Sequence, residues 1–536
     1  MKSVLARAAM IALVLCLVLP CFAAEIPRLI EKDGRHALLV DGQPYLMLGA
    51  QVNNSSAWPV ALPSVWPAIE YLHANTVEAP IYWEQLEPKP GQFDFTNVDT
   101  LVKQAREHHV RLVLLWFGSW KNGSAHYVPE WIKADAAKYP RMANAAGQLM
   151  DILSVHSSVT LAADRQACAT LMRHLKEIDC EQHTVIMMQV ENEAGTYGMV
   201  RDFSAAAQKA FDAPVPTDLV TALHRQSGTW MQVFGGDAGE SFAAYSAARY
   251  IDQVAAAGKR EYPLPMYVNA ALRDPEDPGA KPGANYPSGG PTYNVADIWK
   301  AAAKSIDLLA PDIYLQGGEK YQKTLAYYRR PDNALFVPET SNLPGFAKYF
   351  FMVLGYGGIG FSPFGMDYTG YSNAPLGAED TTEKMVQPFA GNYKLIEPMA
   401  REIARLNFEG KLQTAVEEKG APRRQLDFGK WQVEISYGLP QFGFGDNPPG
   451  NPDSDGRALV AQLGPDEFLV TGIDARVDFK LAKPAPGQQM DYFRVEEGRY
   501  ENGQWQFLRI WNGDQTDWGM NFKRASQVLR VKLGTF

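Results

Sequence analysis

The stretch Thr184-Val185-Ile186-Met187-Met188-Gln189-Val190-Glu191-Asn192-Glu193 constrains this chain more than any other. Its first seven residues are almost all apolar or β-branched. That is the pattern of a strand buried on both faces. The run then ends on two carboxylates and an amide. Buried charge is costly unless it is paired or solvated, so the acidic end belongs at a mouth where the strand leaves the core. Ala334-Leu335-Phe336-Val337-Pro338-Glu339 has the same grammar. Two buried strands, each closing on a carboxylate, point to a site at the C-terminal ends of the strands in a parallel β/α fold.

The rest of the chain supplies strands of the same kind. Eight are expected, ending near Asn53, Tyr82, Trp116, Glu193, Asn269, Tyr314, Glu339 and Ser362, with helical segments between most of them. Eight strand–helix units over some 360 residues predict the α/β class and a (β/α)8 TIM barrel. An open doubly wound sheet is the alternative. No Gly-rich turn follows the first strand, which argues against the nucleotide-binding version of that sheet. Asp41-Gly42 marks a lead-in hairpin ahead of the first strand.

After a closing helix the texture changes. Short runs such as Trp431–Ile435, Ala458–Leu463, Glu467–Thr471, Ala475–Phe479, Gln506–Ile510 and Val528–Val531 predict a smaller C-terminal β-sandwich. Turns are expected at Glu501-Asn502-Gly503 and Trp511-Asn512-Gly513-Asp514. The expected division is a signal peptide at residues 1–24, a barrel at 25–411 and the sandwich at 412–536. A chain of 536 residues with 46% hydrophobic content has material for both domains.

The first segment has Lys2 and Arg7, an apolar run from Met10 to Leu19, and Pro20-Cys21-Phe22-Ala23-Ala24 as a cleavage region. This reads as a secretory signal, and its apolar run is short for a membrane anchor. The protein is therefore expected to be secreted or periplasmic, with no membrane span in the mature chain. Net charge is −9 and becomes more negative when Lys2 and Arg7 leave, which disfavours a nucleic-acid partner. A homodimer stays open. Cys168 and Cys180 are expected on one helix about 18 Å apart, too far for a disulfide unless the helix breaks. The nine histidines show no metal-ligand spacing, so no metal and no cofactor is implied.

In a barrel, Glu193 and Glu339 end strands four and seven on one face. Two carboxyls about 5 Å apart suit retaining glycoside hydrolysis, one attacking the anomeric carbon and the other acting as acid and base. Like charge and partial burial raise the pKa of the acid. Asn192 can hydrogen-bond the sugar 2-hydroxyl. Strand alternation puts Glu191 and Glu193 on one side, so periodicity does not choose between them. Tyr82, Trp83 and Trp116 are candidates for the sugar-binding wall, as are Asn269 and Tyr314 at strand ends. Each has an ordinary core role as its rival.

Gln189-Val190-Glu191-Asn192-Glu193 resembles the acid/base motif of glycoside hydrolase family 35, the β-galactosidases. The next residues, Ala194-Gly195, depart mildly from the family's Tyr-Gly, and the family's Arg-Pro-Gly-Pro-Tyr run is absent. Tyr82-Trp83 and Glu87-Pro88 echo other family positions, and Glu339 falls where the family has its nucleophile. The resemblance implies a secreted bacterial retaining exo-β-galactosidase, with Glu193 as acid/base, Glu191 supporting it, and galactosylated xyloglucan oligosaccharides as a substrate. Hydrolysis of β-glucosides or α-L-arabinopyranosides, or glycan binding without catalysis, remain the alternatives.

Overall fold

A computed structural model describes residues 25–442, 447–501, 503–523 and 527–536. The signal segment at 1–24 and Asn502 of the expected turn lie outside the described residues. The chain opens with a three-stranded antiparallel sheet: β1 (Arg28–Lys32), β2 (Arg35–Val40) and β3 (Gln43–Tyr45). Asp41 and Gly42, both at positive φ (56° and 71°), turn β2 into β3, the backbone that an Asp-Gly pair adopts in a two-residue hairpin.

Eight parallel strands then close a barrel. They are β4 (Met47–Gln51), β5 (Thr76–Tyr82), β6 (Arg111–Lys121), β9 (Val185–Asn192), β10 (Met266–Ala271), β11 (Leu308–Ile313), β12 (Val337–Thr340) and β13 (Gly360–Pro363). A small hairpin, β7 (Arg141–Ala143) with β8 (Leu149–Leu153), interrupts the long connection after β6. The strands are buried along almost their whole length. Residues facing the barrel axis, such as Val113, Leu115, Ile186, Tyr267, Leu308 and Phe336, form one cluster. Those facing the helices, such as Leu112, Leu114, Met188, Val190 and Val268, join the main core. This two-sided burial gives parallel strands their continuous apolar runs. The helix Ser158–Asp179 is unbroken, with Cys180 as its C-cap. Cys168 is buried, Cys180 is exposed, and both are free. The expected closing helix is in fact two, Glu383–Ile396 and Ala400–Phe408, separated by a 3-10 turn at Glu397–Met399 that contains Pro398.

Beyond residue 411 all strands are antiparallel. A six-stranded sheet holds β14 (Leu412–Val416), β17 (Arg457–Gly464), β18 (Glu467–Ile473), β20 (Met490–Glu501), β21 (Gln504–Ile510) and β23 (Val528–Thr535). A four-stranded sheet holds β15 (Arg423–Phe428), β16 (Trp431–Ser436), β19 (Ala475–Leu481) and β22 (Met520–Phe522). Alternation along β17 shows what each face does. Ala458 and Val460 enter the core between the sheets, whereas Leu459 and Ala461 enter the barrel's core. β17 is thus apolar on both faces and joins the larger sheet to the barrel. Lys348 adds 2.8 Å bonds to the carbonyls of Glu417 and Ser454. Leu469→Ala would open a cavity at this junction. It should cost about 2–5 kcal/mol, measured as a lowered urea midpoint of the intact chain. An unchanged midpoint would mean that the sheet does not depend on the barrel at this point.

Among the described residues, no helix is long and apolar enough to cross a membrane.

Candidate active site

At the C-terminal ends of the barrel strands, side chains from six of them converge. Glu339, on β12, is buried, and both its carboxylate oxygens are occupied. Tyr314, just past β11, donates to Oε1 at 2.6 Å, and Gln51, at the end of β4, donates to Oε2 at 3.0 Å. Asp312 on β11 is in register with Glu339. Glu193 lies one residue beyond β9 and is only partly buried. One carboxylate oxygen from each of Glu193, Asp312 and Glu339 lies within 4.8 Å of the others. Burial first, and the Glu339 charge second, push the Glu193 carboxyl up to about 7, against the opposing pull of Lys121. Burial and the same charge raise Asp312 well above the ordinary carboxylate range. Burial and Glu339 likewise hold the Tyr314 hydroxyl in its protonated, donating form.

The end of β9 owes its shape to two unusual backbones. Glu191 and Glu193 both have positive φ, 63° and 46°, a conformation that non-glycine residues adopt sparingly and that concentrates at functional sites. The left-handed residue at 191 breaks strand alternation. Glu191 and Glu193 therefore do not share a side, contrary to the expectation from periodicity. Glu191 turns outward, where its Oε2 accepts from the Trp120 amide at 2.7 Å. Burial and the neighbouring Asp164 push its pKa well up. It braces the chain at Trp120 rather than lying with Glu193 and Glu339.

The partner of this turn is a bulge in β6. Pairing with β9 shifts between Trp116 and Lys121, so that Lys121 comes opposite Asn192. Gly118 permits it: a Cβ there would lie 2.4 Å from Trp116 Nε1 and 2.8 Å from Glu191 Oε1. Lys121 then donates to Asn192 Oδ1 at 2.8 Å. That fixes the Asn192 amide and leaves its buried Nδ2 with no partner among the described residues. Asn269, on β10, accepts from the Glu193 amide at 2.9 Å and donates to Asp312 Oδ2 at 2.7 Å.

Of the expected site residues, the structure thus gathers Glu193, Glu339, Asn192, Asn269 and Tyr314. Tyr82 stands at the same face, its ring 4.6 Å from Tyr127 and 6.1 Å from the part-exposed Trp58. Trp83 and Trp116 are not brought to the pair. Both are fully buried on the helix side, 6.3 Å apart, with their indole N–H groups on Glu87 and Asp164. They are core residues, as Glu191 is a structural one. Lys121, Asp312 and Gln51 were not anticipated. An acid inside the apolar run Leu308–Tyr314 was the available signal for Asp312. Glu193, Asp312 and Glu339 have the spacing of oxygen ligands. The ammonium of Lys121, which acts on Glu193 and Asp312, would oppose a cation among them.

A closed parallel barrel with paired carboxylates at the C-terminal ends of its strands defines an α/β barrel with the layout of an enzyme. The family model of glycoside hydrolase family 42, described as Beta-galactosidase, matches residues 67–244. This corrects the resemblance to family 35. A five-residue acid/base motif on a barrel strand is too short to separate families that share such a motif, whereas the match extends over 67–244. Residues 389–523 match a domain of unknown function (DUF5597). A beta-galactosidase of Xanthomonas manihotis is 26% identical over 161 residues, covering 29% of this chain and 25% of that protein. Two solved structures are similar in shape. The beta-galactosidase from Bacillus circulans sp. alkalophilus has a TM-score of 0.47 at 12% identity, covering 67% of this chain and 57% of that one. Gan42B, a GH42 beta-galactosidase from G. stearothermophilus (its catalytic mutant), has 0.46 at 16% identity, covering 68% and 58%. The chain thus spans about a quarter of the curated relative and under two thirds of these structures.

Proposed function

We propose that the protein is a retaining glycoside hydrolase of the β-galactosidase type, acting on terminal non-reducing β-D-galactosyl residues. The observation that carries the reading is the separation of Glu193 and Glu339, whose nearest oxygens lie within 4.8 Å across the barrel mouth. Retaining enzymes place their carboxyls about 5–5.5 Å apart, and inverting ones leave about 6.5–9.5 Å for a water. Glu339, held by Tyr314 and Gln51, is oriented as the nucleophile. Glu193, part-exposed and pushed up to about 7, supplies the proton for the leaving oxygen and later takes one from water. The unpartnered Nδ2 of Asn192 is placed to hold the sugar 2-hydroxyl as charge develops. The family 42 match and the named relative support galactose as the sugar.

For the aglycone we favour a galactosylated xyloglucan oligosaccharide, met after export to the periplasm or medium. The loop from Asp274 to Pro291 bridges back to the acid/base turn through Thr196 and Ser288, and Tyr197 stands 46% exposed beside it. These groups can contribute binding to the next sugar along, which raises kcat/KM. Two measurements test the proposal. The anomer first released from an aryl β-galactoside should be the β form, and inversion would sink the double displacement. kcat/KM should be higher on the xyloglucan fragments than on lactose. The opposite order would remove the substrate preference alone.

A further inference from the structure

Asp312 takes no part in the scheme above, yet it lies inside it. It is buried, and one oxygen of its carboxyl lies within 4.8 Å of one of Glu193 and one of Glu339. Asn269 grips both groups at once, through the Glu193 amide and through Asp312 Oδ2. The other oxygen, Oδ1, is buried and meets no donor among the described residues. Two carboxylate anions this close inside a protein repel one another strongly enough that one of them keeps a proton. The groups facing Asp312 point the same way. Glu193 and Glu339 bring negative charge from β9 and β12. Tyr267 on β10, Tyr314 after β11 and Tyr328 on the helix Gly318–Tyr328 are neutral phenols within its field. Among the described residues, Lys121 is the cation named as acting on it, and its ammonium is engaged with Asn122 and Asn192 at 2.9 and 2.8 Å.

We propose that Asp312 is a positioning residue that stays protonated through the catalytic cycle and donates its hydroxyl hydrogen to the Glu193 carboxyl. The inference rests on the glycosidase reading of Glu193. In the first step Glu339 bonds the anomeric carbon, the glycosidic C–O bond breaks, and the Glu193 proton passes to the leaving oxygen. The Asp312 proton stays in place and its hydrogen bond steadies the new Glu193 carboxylate. In the second step water bonds the anomeric carbon, the ester to Glu339 breaks, and the water proton passes to Glu193. Asp312 ends each turnover as it began.

The test compares wild type, Asp312→Asn and Asp312→Ala by the pH profile of kcat/KM on an aryl β-galactoside. Asparagine keeps a neutral donor, so its alkaline limb should stay near that of wild type. Alanine removes the donor, so its alkaline limb should move up by roughly one pH unit. A downward move in both variants would mean that Asp312 is ionised, and no move in either would mean a purely structural role. Each result would overturn the proposal. Difference infrared spectroscopy gives a readout independent of turnover. Taken well above pH 7, where Glu193 is ionised, the wild-type-minus-Asp312→Asn difference should contain the carbonyl band of one protonated carboxylic acid contributed by wild type. Its absence from wild type would overturn the proposal as well. Wild type that cleaves no glycoside would instead sink the functional reading, and the infrared band would still decide the state of Asp312.

Discussion

Glu339→Ala should lose turnover of every glycoside, by about 10⁴-fold or more, because a nucleophile removed from a concerted site takes most of the rate with it. The residue is prepared for that role and little else. Among the described residues its hydrogen-bond partners include no cation, and its two donors, Tyr314 and Gln51, are neutral. Neutral donors hold the carboxylate in line without sealing it in an ion pair, and they can yield when an oxygen becomes an ester. The cavity left by alanine has room for a small anion. Azide should therefore restore part of the rate on an activated aryl galactoside and yield the α-galactosyl azide, since it enters from the side Glu339 occupied. A variant that retains more than a few per cent of wild-type activity, or an azide product of β configuration, would move the nucleophile elsewhere. Asp312 is the neighbour that would then have to be considered, since it is in register with Glu339.

The barrel was legible because parallel strands buried on both faces must be apolar throughout, and this composition survives any error of register. All eight expected barrel strands are present, several with shifted ends. The same property hides the site. In a continuous apolar run nothing marks which residues face the axis, so Trp83 and Trp116 looked as suited to a sugar as Tyr82 did. Glu191 misled for a different reason. Alternation presumes extended backbone, and a left-handed residue at 191 cancels it. Lys121 reaches Asn192 only because β6 bulges after Trp116, and a bulge of that kind leaves no periodic trace. In the C-terminal sheets, β16 to β19, β21 and β23 showed themselves as strand-like runs. β15 and β20 did not: β15 carries Arg423-Arg424-Gln425 exposed at a sheet edge, and β20 is interrupted by charged residues on its open face.

Glu193→Ala should behave differently from the nucleophile variant, and the difference tests how the two roles are divided. Removing a general acid costs about 10²–10⁴-fold when the leaving group needs a proton. On a dinitrophenyl galactoside, whose departure needs almost none, the first step should remain fast, and slow hydrolysis of the covalent intermediate should limit turnover. Azide should then accelerate turnover and give the β-galactosyl azide, because it attacks from the face that Glu193 leaves open. The pH profile supplies the second half of the argument. Burial and the charge of Glu339 push Glu193 up to about 7, so the acid form prevails below that pH and is lost above it. Wild-type kcat/KM should accordingly fall on an alkaline limb near pH 7 with natural leaving groups. The variant has no such group to titrate, so on the activated substrate that limb should vanish. If the limb persists in Glu193→Ala, or if Glu191→Ala reproduces the azide pattern in its place, the outward-turned carboxylate at 191 is the acid and the assignment of β9 is wrong by two residues.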